Sequence, residues 1–254
     1  MPALGVEEWL LLVVAALFVG FAKTAISGTG SIAVALFALV LPARESTGTL
    51  LLLLIAGDLF AVGFYRRHAS WRLIRRLFPG VAAGVVLGTV FVSQVDDAVM
   101  RRVIGLLLLV LAGLQLLTRG GRLAELLGDP GAGPRRTGHV VGAAVAGVAA
   151  GFVTMVANAA GAVMTLYLLL SGLTKLEFLG TTAWFFLVVN LFKLPFSAGL
   201  GLIEPGALLL DLTLLPVVGI GAVAGLLLIR RLDQEQFERA ALVLVAVSVV
   251  PLLV

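Results

Sequence analysis

The sequence predicts an all-α polytopic membrane protein built of two homologous halves, and three observations carry that prediction. The first is composition: 61% of the residues are hydrophobic, 13% are charged, and mean hydropathy is +1.15. That charged fraction is about half of what a soluble domain carries. The second is segment length. Apolar runs rich in Leu, Val, Ala and Gly reach or exceed the roughly 20 residues that cross a bilayer as helix, whereas a transmembrane barrel shows short alternating segments. The third is internal repetition. Sliding by 131 residues lays Gly20-Phe21 on Gly151-Phe152, Ser27 on Asn158 and Gly30 on Gly161. A one-residue slip lays Gly48-Thr49 on Gly180-Thr181 and Asp58 on Asn190, and a slip to 137 carries Pro79, Gly84 and Gly88 onto Pro216, Gly221 and Gly225. Duplicated halves are the usual build of secondary transporters.

Eight apolar segments follow in order: 9–41, 46–65, 77–95, 103–118, 139–172, 178–198, 207–229 and 237–254. The first and fifth are about 33 residues each, which as a straight helix is about 50 Å against a hydrocarbon core of about 30 Å. Each must therefore break. Glycine and small polar residues mark the places, Ser27-Gly28-Thr29-Gly30-Ser31 in one half and Asn158-Ala159-Ala160-Gly161 in the other. The expected organisation is a first repeat over 1–118, a cytoplasmic linker over 119–138 with GDPGAGP at its centre, and a second repeat over 139–254. Each repeat has one broken segment and three full transmembrane helices. Glu7 and Glu8 stand where a cleavable signal peptide has its positive n-region, so the first segment is expected to be retained.

Loop charge predicts how the broken segments run. The 66–76 loop holds five arginines and a histidine and belongs in the cytoplasm, as does the linker with four arginines. If segment five crosses once, Glu204 falls inside and Arg230-Arg231 outside, against the rule. If it returns to its own side, Lys175 and Arg230-Arg231 become cytoplasmic and Glu204 external. The same treatment of segment one places Glu7 and Glu8 outside, and the halves become inverted repeats.

Polar residues are so few that their positions carry weight, because an unpaired polar group in hydrocarbon costs several kcal/mol. Lys23 lies inside an apolar run beside the first break. It either snorkels or serves as a cationic ligand-binding group, with backbone N–H groups freed at Ser27, Gly28, Thr29 and Gly30 adding positive potential for an anion. Asn158 and Gly161 occupy the equivalent place in the second half, and Thr181 is a further candidate for coordination. Asp58 is the one acid well inside a segment of the first half, and is read as a proton carrier or as a partner for Lys23 or Lys193. Asp58, Asn190 and Lys193 are thus candidates for a gate or coupling set. Tyr167 and Trp184 read as core or interface anchors.

Other chemistries find little support. The chain has no cysteine, which excludes disulfides, thiolate metal sites and a Cys nucleophile. No zinc-ligand cluster or Walker motif occurs, so no metal or cofactor is expected. Ser27-Gly28 faintly resembles an intramembrane serine protease, but His68 and His139 are poorly placed as bases. An intramembrane aspartyl protease needs a second acid, and Asp211 near a helix start is a poor one. The net charge of +4 bears on orientation, and nothing implies nucleic acid.

These residues resemble the TauE/SafE family of membrane permeases, often called sulfite exporters. The likeness is carried by GFAKTAISGTG and GFVTMVANAAG, by Ser46-Thr47-Gly48, and by NAAG…YLLL…GTTAWFF…N…K.P in the second half, nearly the whole chain. Fuller glycine triplets and a proline after the break, usual in the family, are reduced here to Gly28-Thr29-Gly30 and to Ala162 after Gly161. The resemblance implies transport of sulfite, organosulfonates or related small organic anions, coupled to an ion gradient such as H+, in a bacterial-type plasma (inner) membrane. An anion channel and, far behind, an intramembrane hydrolase are the alternatives.

Overall fold

The computed structural model describes residues 4–119, 136–169, 171–233 and 236. Nine α-helices are described there: α1 Val6–Thr24, α2 Gly30–Val40, α3 Ala43–Tyr65, α4 Trp71–Gln94, α5 Asp97–Arg119, α6 Arg136–Ala157, α7 Gly161–Leu169, α8 Lys175–Gly199 and α9 Pro205–Arg231. A single 3-10 turn, Ser27–Thr29, joins α1 to α2. Among the described residues α3, α4, α8 and α9 are long and apolar enough to cross a membrane. Large apolar side chains such as Leu106, Leu209, Leu212 and Ile220 stay exposed on the outer faces, as a lipid-facing surface requires. The eighth apolar segment, 237–254, and positions 120–135 of the expected linker lie outside the described residues.

Both long segments break where glycine and small polar residues had marked them, and α2 packs back against α1 while α7 packs on α6 and on the 3-10 turn. Several helices begin earlier than the apolar runs do. The loop between α3 and α4 is only 66–70, so Arg72, Arg75 and Arg76 lie on the first turns of α4, not in a loop. Hydropathy marks the hydrocarbon-depth portion of a helix, while the helix itself continues until something caps it. At α8 that cap is a reciprocal box: Thr174 N donates to Glu177 Oε2 at 3.0 Å, and Thr174 Oγ1 accepts from Glu177 N at 3.4 Å.

Helix contacts are made through small residues, as expected where lipid is as apolar as the side chains and close backbone approach supplies the attraction. A Cβ at Gly84 of α4 would collide with Val148 of α6, and one at Gly221 of α9 with Leu17 of α1. Gly151 meets Val81 and Val85, while Gly20 meets Val218 and Ala222. Gly88 abuts Phe152 and Met155, while Gly225 abuts Phe21 and Thr24. These three glycine contacts between α4 and α6 thus have counterparts between α9 and α1 at the spacing found in the sequence. Both helix pairs run parallel.

The central pair α3 and α8 runs the other way. Gly48 near the start of α3 abuts Leu202 just past α8, and Gly180 near the start of α8 abuts Tyr65 and His68 at the end of α3. The helix C-termini are treated alike too. Arg44 Nη1 donates to the Val92 and Val95 carbonyls at the end of α4, both at 2.7 Å. Lys175 Nζ, 131 residues later, donates to the Ile229 and Leu232 carbonyls at the end of α9. A cation on carbonyls that lack an intrahelical partner satisfies both hydrogen bonding and the helix dipole.

This packing predicts the sign of glycine substitutions. Gly84→Ala and Gly221→Ala should each destabilise the purified protein by about 1–3 kcal/mol through overpacking against backbone. Gly63 has open space around its Cβ position, so Gly63→Ala should change stability by no more than about 0.5 kcal/mol. Thermal unfolding of the three variants in detergent checks the contrast.

Candidate functional site

At the first break the last residue of α1, Thr24, is tied to neighbouring helices from both its carbonyl and its hydroxyl. Tyr65 Oη donates to Thr24 O at 2.9 Å, and Thr24 Oγ1 donates across to Ala222 O at 2.7 Å. The 3-10 turn that follows is stitched by its own hydroxyls: Thr29 Oγ1 donates to Ile26 O at 2.8 Å and Ser31 Oγ to Gly28 O at 2.9 Å. The second break turns on Asn158, which adopts φ +52°, a left-handed conformation that Asn tolerates better than most residues. Its side chain holds the turn in place, with Nδ2 donating to Thr47 O at 2.9 Å and Oδ1 accepting from Lys193 Nζ.

The two breaks touch. A Cβ at Gly161 would collide with the Ser27 carbonyl, so glycine there is what lets the second break meet the first. Around the junction lies a small cavity, partly open to solvent. Lys23, Ser27, Gly28, Gly30 and Ser31 line it from the first break, Thr154, Asn158 and Gly161 from the second, and Phe186 and Asn190 from α8.

Charge at the cavity is unbalanced. Lys23 Nζ lies 2.8 Å from Asp58 Oδ1 and 4.5 Å from the centroid of the Phe186 ring. Asp58 is fully buried, and its other oxygen accepts from Asn190 Nδ2 at 2.6 Å. Lys193, 1% exposed, donates to Thr154 O at 2.6 Å, to Thr154 Oγ1 at 3.2 Å and to Asn158 Oδ1. Those three acceptors match the three N–H donors of an ammonium, yet all are neutral. Two buried lysines therefore face one buried carboxylate, and a formal positive charge is left at the junction of the breaks.

Of the residues singled out in the sequence, Lys23, Ser27, Gly28, Gly30, Asn158, Gly161 and Asn190 converge on the cavity. Thr29 is buried beside it with its hydroxyl turned to its own backbone. Thr181 lies elsewhere: its Oγ1 accepts from Ser70 N at 2.8 Å and fastens α8 to the α3–α4 turn. Trp184 anchors the same turn, donating to Arg66 O at 3.2 Å and packing on Trp71 at 5.0 Å. The ion pair that forms joins Asp58 to Lys23; Lys193 sits one layer away. Ser31, Thr154 and Phe186 line the cavity without having been singled out. Thr154 falls on Lys23 in the same 131-residue alignment that pairs Ser27 with Asn158, so that alignment was the signal that could have found it.

A family model described as Sulfite exporter TauE/SafE matches residues 12–252. No curated protein and no solved structure matches the chain.

The left-handed turn gives a test of the second break. Asn158→Ala loses both side-chain hydrogen bonds and keeps the backbone strain, whereas Asn158→Gly loses the bonds alone. The alanine variant should be the less stable of the two by about 1–2 kcal/mol, read as the difference in thermal midpoints.

Proposed function

The chain belongs to the sulfite exporter TauE/SafE family, a family of membrane transporters rather than enzymes, and from that premise we propose that it is a secondary transporter of a small sulfur-containing or organic anion. One observation carries the reading: two broken helices meet at a cavity lined by the buried Lys23, with a second buried lysine, Lys193, bonded to the wall residues Thr154 and Asn158, and a single carboxylate, Asp58, set against the two. A buried excess of positive charge is costly on its own and is compensated when an anion enters. Lys23 and the backbone of the 3-10 turn would hold the anion from one side, and Asn158 from the other. Sulfite or an organosulfonate suits the site, as a small oxyanion that accepts several hydrogen bonds at once.

The membrane arrangement belongs to the same proposal. Two inverted repeats, 1–118 and 139–254 with a linker between, are supported by the antiparallel α3 and α8, by the paired glycine contacts and by the paired Arg44 and Lys175 caps. In this reading α1 with α2, and α6 with α7, are re-entrant hairpins entering from opposite faces of a bacterial-type inner membrane. Alternating access would then be a motion of one repeat against the other about the facing breaks.

Counterflow in proteoliposomes tests the activity. A carrier exchanges labelled for unlabelled sulfite, a channel dissipates the gradient, and fluxes equal to empty liposomes remove the substrate class. Lys23→Gln should weaken sulfite binding by about 1–3 kcal/mol, as loss of a charge-assisted hydrogen bond does. Topology has its own test, because the chain has no native cysteine and positions 72, 204 and 233 are all exposed. Single-Cys variants there should label with an impermeant maleimide in intact cells only at 204. Labelling at 233 and not at 204 would mean that the fifth segment crosses once.

A further inference from the structure

The proposed transporter has a carboxylate that its anion site does not need. Asp58 is fully buried, touches no part of the cavity, and is a like charge to the expected cargo. The cation it holds is nevertheless a cavity-lining one. Lys23 lines the cavity and its Nζ lies 2.8 Å from Asp58 Oδ1, so an anion in the cavity and Asp58 compete for one ammonium. We infer that the Lys23–Asp58 pair is a proton-coupling switch: a proton taken up by Asp58 releases Lys23 to the anion, and one proton crosses with one anion. The inference rests on the transport reading above and adds the coupling ion and its mechanism.

Charge accounting favours this pairing of events. In the empty site Lys23 and Asp58 neutralise each other. In the loaded site a protonated Asp58 is neutral, and Lys23 is neutralised by a monovalent anion. The site carries the same formal charge in both forms. The form with a proton and no anion adds a further positive charge to the site, and in the form with an anion and no proton Asp58 and the anion must share one ammonium, so neither should cross readily. Coupling then follows without any further gate.

Asn190 is built for both forms. Its Nδ2 donates to Asp58 Oδ2 at 2.6 Å, while its own Oδ1 is buried with no hydrogen-bond partner. Rotating the amide by half a turn puts that idle acceptor opposite Asp58, where it can take the hydrogen bond of a protonated carboxyl. The other charge acting on Asp58 is Lys193 of α8, held by Thr154 and Asn158. From α1 the facing group is Lys23, and α2 carries no titratable side chain. Asp97, Arg101 and Arg102 of α5, and Asp211, Arg230 and Arg231 of α9, are not among the groups that act on Asp58.

The test uses the full chain in proteoliposomes with labelled sulfite, comparing counterflow at equal pH with accumulation driven by a proton gradient, and empty liposomes as baseline. Wild type should do both. Asp58→Asn, which stands for the protonated form, should continue to exchange sulfite but no longer concentrate it. Its apparent affinity for an organosulfonate, whose single charge is the same throughout this pH range, should lose the decline of about tenfold per pH unit that one coupled proton confers on the wild type. Accumulation by Asp58→Asn at the wild-type level would mean that the proton travels by another route, and the inference fails. A monodisperse Asp58→Asn protein without counterflow overturns it as well, because the neutral side chain should favour the substrate-ready form. Should that variant not fold, Lys23→Gln with Asp58→Asn gives a neutral pair, expected to exchange weakly with no gradient-driven accumulation; accumulation there again overturns the inference. Absence of counterflow in wild type removes the sulfite reading itself, and the coupling inference with it.

Discussion

Two helices break inside the bundle, and the rest of the site follows from how the exposed backbone is satisfied. A helix hides its own polar backbone in hydrocarbon, and interrupting it frees carbonyl and amide groups that each cost several kcal/mol if left alone. Here backbone groups at the breaks find partners in Tyr65, in the hydroxyls of Thr29 and Ser31, and in Lys193. The 3-10 turn uses mostly local hydroxyls. The second break, with an alanine pair where the first has serine and threonine, must instead borrow an ammonium from α8. That difference in sequence is why the second break holds a lysine and the first leaves its own lysine, Lys23, facing the cavity.

Close approach of backbones makes this arrangement possible. The parallel pairs α1 with α9 and α4 with α6 touch through glycine, so each broken helix is braced along its length by an intact one. Bracing of this kind needs no hydrophobic driving force, only complementary small residues. It also supplies what a transporter needs mechanically. Each brace joins the broken helix of one half of the chain to an intact helix of the other, so the two breaks are positioned by both halves together.

The polar network around the cavity separates into two layers. Lys23, Asp58 and Asn190 form one, and Lys193, Thr154 and Asn158 form the other. The first layer contains an ion pair and one idle acceptor, Asn190 Oδ1; the second has all three donors of Lys193 matched by acceptors. A network with one unsatisfied member at low dielectric is poised to rearrange, whereas a satisfied one is rigid. The second layer fixes the turn that forms the cavity wall, and Lys23 and Asn190 of the first line the cavity.

Composition, segment length and the glycine pattern are local properties of the chain, and for that reason the sequence by itself determined the helical membrane class, the location of both breaks and the alignment of Ser27 with Asn158 and Asp58 with Asn190. Hydropathy is set residue by residue, and glycine weakens a helix wherever it stands. Partnership is different. Which lysine meets Asp58, whether Thr181 points inward, and which of Ser31, Thr154 and Phe186 reach the cavity depend on how far each helix is rotated and which way it runs beside its neighbour. One residue of helix turns a side chain by about 100°, so placement within an apolar run says little about what lies opposite. Only the tertiary structure decided that Lys23 takes Asp58 while Lys193 takes Thr154 and Asn158, because the antiparallel crossing of α3 and α8 brings Asp58 to Asn190 and leaves Lys193, nearly one turn further along α8, beside α6 and the second break.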